Sequence, residues 1–331
     1  MQPNLNFWPI QNETGSVERF LSRLDASVIF ADPEFSRLAG SFAPAAAHEW
    51  IALAPGQDES VFANASPSWK GRNIFLFCVA GYAARAARLK DAAAKVGARF
   101  VDWPYEVFPS FVGFNDSWRQ TDDELAPLRR QFLIISTARS GSTYLAELLQ
   151  KNGFGNPKEH IRKPYFELIR HRKAFGIDLA RFGRRLERAC ASNGMFGSKV
   201  ISGFLWPVLA ELNQSEQDAL FGGWLKAPVV YLVRESKVDQ AISDFMANAT
   251  TTWHVRNNED LSAYKKTVDA VTFDFDKINK RFSTYVKDET ELRNFLRPAP
   301  QVKTIRYADL IAEPEGHTRD ILMFIDPQAA P

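Results

Sequence analysis

The chain is poor in the residues that build covalent and metal-centred chemistry. Its 331 residues include only two cysteines, Cys78 and Cys190, which supply no disulfide framework. That sparing use fits a reducing compartment, so a cytoplasmic location is expected. Histidine is scarce too: there are five, and His160 and His171 lie too far apart for an i, i+4 ligand pair, so no metal is expected. Neither sign of charge dominates. Lys and Arg total 41 against 39 Asp and Glu, a net charge of +2, which gives no global electrostatic case for nucleic acid as a partner. No apolar run approaches the ~20 residues that would span a bilayer. The opening MQPNLNFWPIQNETG lacks the basic and apolar regions of a secretory leader. There is no internal repeat or low-complexity tract. With 45% hydrophobic residues, the chain can bury a substantial core and has room for two domains.

Against that background one stretch stands out. Residues 132–149 read FLIISTARSGSTYLAELL. The run Phe132 to Ile135 is apolar on consecutive positions, as in a strand buried on both faces of a parallel sheet. Leu145, Leu148 and Leu149 then recur at helical spacing, and Gly153 falls where a helix would stop. A strand entering a helix through Ala138, Arg139, Ser140, Gly141, Ser142 and Thr143 aims free backbone N–H groups and the positive end of the helix dipole at one point, where anions bind. The spacing does not fit the nucleotide loop G-x-x-x-x-G-K-[ST]: there is one glycine, and Arg139 stands where a lysine would be sought. A magnesium-dependent kinase or ATPase is thereby disfavoured. Arg139 offers a planar fork of donors suited to a phosphate or sulfonate. An ordinary strand–turn–helix link made of small residues is the alternative at this point.

A second segment has the same build. Val229 to Val233 is an apolar strand, Arg234 stands at its end, and Ser236 can cap the helix that follows. On that helix Val238, Ala241, Ile242 and Phe245 are expected to form the buried stripe, with Lys237, Gln240 and Ser243 on the opposite side.

The stretch STARSGSTYLAELLQKNGFGNPKEH resembles the opening signature of the bacterial sulfotransferases typified by trehalose 2-sulfotransferase, approximately T-P-R-S-G-S-T-x-L, a helix, a Gly, then P-x-E-Y. FGSKV at 196–200, VVYLVRESKVDQAIS at 229–243, FDFDKI at 273–278 and IRYADLIAEPEG at 305–316 are similar to later segments of that family, in its order. The resemblance covers about residues 131–326. It implies a P-loop-like parallel sheet flanked by helices and transfer of a sulfuryl group from 3′-phosphoadenosine 5′-phosphosulfate (PAPS), used as co-substrate without a metal, to a hydroxyl of a carbohydrate or glycoconjugate. It further implies that Arg139, Ser140, Gly141, Ser142 and Thr143 bind the 5′ end of the donor and that Arg234 and Ser243 bind its 3′-phosphate. Glu235 departs from the family's more usual basic residue, so its charge needs a partner or a turn outward. The family's general base maps to Glu159. His160, where the family has Tyr, is a rival base, with an unperturbed imidazole pKa near 6.5.

Other residues carry two readings each. Lys199 could meet donor or acceptor oxygens, or lie along the surface as a solvated lysine. Trp253-His254 resembles a pair near the family's acceptor pocket. Segment 158–188 holds ten Lys or Arg against four Asp or Glu, with Arg181, Arg184, Arg185 and Arg188 largely on one helical side. That is a solvated face or a patch for an anionic acceptor. In the related enzymes this region helps form the acceptor pocket or a subunit contact, so a homo-oligomer is compatible with it.

The first 130 residues read as a smaller α/β unit, with strands at 27–31, 49–54, 73–80 and 99–101 and an Ala-rich helix at 82–96 closed by Gly97. Asp32 and Asp102 stand at strand ends there without a phosphate turn. The aromatic run from Trp103 to Trp118 reads as packing in preference to a sugar-stacking surface. The boundary is placed near 128/129, giving an N-terminal domain of unassigned role (1–128) and a sulfotransferase domain (129–331). A P-loop phosphotransferase, or a catalytically silent protein that binds PAPS or its product adenosine 3′,5′-bisphosphate (PAP), are the other readings.

Overall fold

The apolar runs at 28–31, 132–135 and 229–233 become parallel strands, and most of the longer stretches between strands become helices. In the computed structural model, residues 27–31, 48–53, 62, 66–77, 81–109, 116–253 and 258–328 are described. In chain order these hold β1 (Val28–Ala31), β2 (Glu49–Ala52), β3 (Asn73–Phe77), α1 (Tyr82–Lys95), β4 (Arg99–Val101), β5 (Arg130–Ser136), α2 (Ser142–Lys151), α3 (Lys163–Arg170), α4 (Arg172–Phe175) and α5 (Leu179–Cys190). There follow β6 (Met195–Ile201), α6 (Ser202–Ala210), α7 (Gln214–Phe221), β7 (Val229–Val233), α8 (Lys237–Thr250), α9 (Asn258–Val268), α10 (Phe275–Phe295), β8 (Val302–Arg306), α11 (Tyr307–Ala312) and α12 (Pro314–Ile325). The fold class is α/β, with two four-stranded parallel sheets flanked by helices. No helix among the described residues is long and apolar enough to cross a membrane.

The chain divides into two compact units. The first combines residues 1–127, 160–190 and 208–220, and the second 128–159, 191–207 and 221–331. The first unit holds the sheet β2-β1-β3-β4. Helix α1 buries Ala86, Leu89 and Ala93, and the chain leaves β4 through a short π-helical turn, Trp103–Val107. The aromatic run packs, as expected: Trp103, Tyr105 and Phe108 are buried, and Trp103 stacks on Phe175 while Phe108 meets Tyr165 and Phe182. Phe111 and Phe114 lie outside the described residues, as do Asp32, Cys78 and His254. Asp102 accepts a hydrogen bond from the Tyr82 hydroxyl at 2.7 Å, and burial pushes its carboxyl above the usual range.

The arginines of helix α5 do not all lie on one solvated face. Arg185, almost completely buried, donates to the carbonyls of Tyr105 (3.1 Å), Ser117 (3.0 Å) and Gln120 (2.6 Å) and to Asp122 (2.9 Å). Arg181 lies over the Tyr105 ring at 4.0 Å, and Arg188 donates to the Leu125 carbonyl. Helical spacing of arginines could not separate this outcome from a solvated face, because the acceptors are backbone carbonyls of an irregular loop. Arg185→Met should therefore lower unfolding free energy by roughly 2–3 kcal/mol, since orphaned buried acceptors cost about 1–3 kcal/mol each. Arg184→Ala on the exposed side of α5 should change it little. Urea denaturation midpoints compare the two, and equal midpoints would refute the staple.

In the second unit the sheet order is β6-β5-β7-β8. β5 pairs with β6 from Arg130↔Met195 to Ser136↔Ile201, and with β7 from Leu133↔Val229 to Ile135↔Tyr231. Leu145, Ala146 and Leu149 of α2 bury against Phe132 and Ile134 of β5, joined by Ile321 and Ile325 of α12. Each of the large side chains among them contributes about 1.5–3 kcal/mol. The chain steps from β5 to β6 on one side and returns to β7 on the other. The C-terminal ends of β5 and β7 thus flank a topological switch point, where open α/β sheets place their ligands.

Candidate active site

The turn that leaves β5 is built as a rigid cradle. Ser136 ends the strand, Arg139 adopts φ +60° and Gly141 φ +87°, and α2 begins at Ser142 with Gly141 at its N-cap. A non-glycine residue in the left-handed region costs on the order of 1–3 kcal/mol, so Arg139 has to be held. The Arg234 guanidinium donates to the Arg139 carbonyl at 3.1 Å. The Arg139 side chain donates to Ser243 Oγ at 3.1 Å and to the Trp253 carbonyl at 2.6 Å.

Gln240 of α8 secures the turn from beneath. Its amide nitrogen donates to Thr137 Oγ1 at 2.7 Å, to the Ala138 carbonyl, and to Ser140 Oγ at 3.3 Å. Ser140 Oγ in turn donates to the Thr137 carbonyl at 2.6 Å. Gln240 is fully buried, which corrects the expected face of α8. Gln240, Ala241, Asp244 and Ala247 point inward, while Val238 and Ile242 are exposed. The physical reason is that the inward positions are small or are polar groups with partners on the turn or on α10: the Gln240 amide nitrogen on the turn, Asp244 paired with Arg281 of α10 at 2.9 Å, and Ala241 packed with Ile278 and Tyr285. Ala241 and Phe245 pack as expected, but polar residues at neighbouring core positions turn the stripe so that Val238 and Ile242 face outward.

Arg139, Ser140, Gly141, Ser142, Thr143, Arg234 and Ser243 thus come to one place, the C-terminal ends of β5 and β7. Ser236 caps α8 by accepting from the Asp239 N–H. Glu235 has its partner in Arg306. Burial alone would push the Glu235 carboxyl up, but backbone N–H groups and Arg306 outweigh it and hold the carboxyl below the usual range.

Glu159 arrives by another route. Lys158 bridges to Ser198 in parallel register, and the Lys199 N–H donates to the Lys158 carbonyl at 2.8 Å, so residues 157–159 run along β6 like a rudimentary extra strand. Gly197 makes room for it, because an added Cβ there would stand 2.8 Å from the Pro157 ring. Lys199 Nζ then lies 2.9 Å from Glu159 Oε1 and donates to Thr143 Oγ1 at 2.8 Å. The lysine is buried and not a solvated surface residue. His160, next in the chain, is buried. The hydrogen bonds that lead from the turn reach Glu159.

With this arrangement in view, the family comparison is informative: the pattern of the Stf0 sulphotransferases matches residues 131–331, more than half of the chain. The chain belongs to the Stf0 sulphotransferase family. The match includes β5, the cradle, Glu159 and every later element of the second unit. Among solved structures, a sulfotransferase from Alicyclobacillus acidocaldarius is similar at 18% identity over 60% of this chain and 81% of that one, with a TM-score of 0.34. A likeness that loose carries no argument. No curated protein matches the chain.

Sequence reasoning missed Tyr307. This residue opens α11 at the end of β8, and its ring covers Gly141 so closely that a Cβ there would overlap it. The Arg234 guanidinium lies 5.1 Å from the ring centroid, a stacking worth about 0.5–1 kcal/mol. The available signal was position alone, an aromatic just past the carboxyl end of a strand. Gln240 is expected from the sequence on the side of α8 opposite the apolar stripe, whereas it is fully buried beneath the turn. Among the described residues no group of three or more His, Cys, Asp or Glu is arranged to hold a metal.

Proposed function

We propose that the protein transfers a sulfuryl group from PAPS to a hydroxyl of a carbohydrate or glycoconjugate, with Glu159 as general base. The observation that carries this reading is the convergence of the anion cradle, Arg234 and Ser243 at the switch point of a sheet whose sequence matches a sulfotransferase family. The residues fit the donor. Turn 139–143 and the α2 N-terminus favour an anion through aligned N–H groups and the dipole, equivalent to roughly half a charge. The guanidinium groups of Arg139 and Arg234 add forked donors.

Sulfuryl transfer needs an in-line nucleophile, a base for its proton and donors around the equatorial oxygens, as phosphoryl transfer does. The acceptor oxygen–sulfur bond forms while the sulfur–oxygen bond to the 5′-phosphate breaks, PAP leaves, and the hydroxyl proton passes to the Glu159 carboxylate. The cradle N–H groups hold the charge that develops on the leaving side. Donor binding is assigned to residues 129–331, and acceptor access or assembly to residues 1–128.

Thermal unfolding with PAP, AMP and ATP tests the donor class, because a ligand that binds only the native state raises apparent stability by mass action. PAP should shift the midpoint most. A larger shift with ATP would overturn the reading in favour of a phosphotransferase. Residue by residue, Arg234→Ala and Ser243→Ala should weaken PAP more than AMP, since the ligands differ only in the 3′-phosphate. Removing a charge-assisted hydrogen bond should cost about 1.5–3 kcal/mol in each case. Calorimetry giving equal losses for both ligands would remove the 3′ assignment.

A further inference from the structure

Lys199 has no counterpart in the reading just given, yet it is the residue that connects the two halves of the site. It stands on β6, on the side of β5 away from Arg234. Its buried ammonium lies between two oxygens: Thr143 Oγ1 at 2.8 Å, in the first turn of α2, and Glu159 Oε1 at 2.9 Å. The two partners differ in freedom. Thr143 belongs to a helix whose start is fixed by the cradle, whereas Glu159 is on a connecting segment tied to β6 by the Lys158↔Ser198 bridge and by the Lys199 N–H itself.

The backbone pairing fixes where residue 159 leaves the sheet but not where its carboxylate goes, because a glutamate side chain has three rotatable bonds and this one is partly exposed. The ammonium removes that freedom. A charge-assisted hydrogen bond in a mostly buried setting is roughly twice as strong as a neutral one, and its other end is anchored on the anion-binding helix. We infer that Lys199 is the positioning residue for Glu159: it holds the carboxylate at a set distance from the donor cradle, so that a hydroxyl presented to the sulfur meets its base. The lysine acts through Glu159, and Thr143 acts through the lysine. This inference rests on the sulfuryl-transfer reading with Glu159 as base.

The test is a double-mutant cycle on the full chain, with Lys199→Met, Glu159→Gln and the two combined, read in acceptor turnover and in PAP binding by calorimetry. Lys199→Met should lower kcat by about 10²-fold, the effect expected when a reacting group is misplaced by an ångström or so. PAP affinity should stay within about twofold, because the ammonium serves the carboxylate and not the nucleotide. The double variant should be no slower than Glu159→Gln alone. Lys199→Arg should restore part of kcat, as its guanidinium can still reach both oxygens. Thr143→Val should reproduce part of the Lys199→Met loss. Losses that multiply in the double variant, or PAP affinity falling in step with kcat, would overturn the inference and give Lys199 an independent contact with the donor. A fully active Glu159→Gln would instead sink the base assignment and this inference with it. If Lys199→Met does not fold, Lys199→Arg alone and combined with Glu159→Gln decide the matter by the same criteria.

Discussion

Replacing Glu159 with Gln is expected to reduce turnover by about 10²–10⁴-fold while PAP affinity is nearly unchanged. The amide keeps the shape of the side chain and can still accept from Lys199 Nζ, which lies 2.9 Å from the carboxylate in the native protein. What it loses is the capacity to take the acceptor's proton. The effect should therefore appear in kcat with a small change in KM, because proton affinity matters as the acceptor oxygen attacks and little in ground-state binding. His160→Ala should have the smaller effect. Steady-state kinetics on the two variants, with PAP titrations alongside, decide between them: the reverse order would move the role to His160.

The second large effect is expected at Gly141. Gly141→Val must place a β-branched residue at φ +87° and push its Cβ into the ring of Tyr307. Left-handed backbone costs an L-residue about 1–2 kcal/mol, and overpacking typically about 1–3 kcal/mol more. The turn will relieve both by moving, which takes the N–H groups out of register with any anion. PAP affinity should fall by roughly 30-fold or more on those figures, with the secondary structure retained by circular dichroism. Combining Gly141→Ala with Tyr307→Ala should recover part of the loss, since it removes the overlap and leaves only the strain. Unaltered PAP binding in Gly141→Val would show that the cradle is not the donor site.

Much of this unit can be read from one dimension. β5, its turn and α2 are legible because a strand buried on both faces must be apolar at every position, and Leu145 and Leu149 mark a single face of a short helix. β7 is legible for the same reason, with all five residues buried. β8 is not: at VKTIR only Ile305 is buried, so an edge strand exposes most of its length and its pattern fades. The order of strands is likewise hidden, since pairing joins residues far apart in the chain. Within the site, the cradle residues announce themselves by composition. Glu159 is conspicuous only through the family resemblance, because its partner, Lys199, stands on a strand far away in the chain. Gln240 and part of the buried face of α8 are illegible to a hydrophobic measure, as Gln240 and Asp244 occupy buried positions between the small Ala241 and Ala247. The arginines of α5 teach the same lesson in the first unit, where Arg185 looks like solvent-facing charge and is a core residue.

The chain's path through its two units has a consequence for how the protein is made. It enters the first unit with residues 1–127, leaves, and comes back at 160–190 and again at 208–220. A ribosome releases about 5–20 residues per second, so roughly 5–20 s pass between the emergence of residue 127 and that of residue 220. Throughout the first part of that interval Trp103 and Phe108 have not yet received Phe175 or Phe182, and the first unit waits with part of its aromatic core uncovered. The second unit waits longer still, because β7 has no outer neighbour until residues 302–306 are synthesised. Nascent chains of this protein are therefore expected to lean on holding chaperones that cover apolar surface, with the first unit closing only after residue 220 has emerged and the second only after residues 302–306.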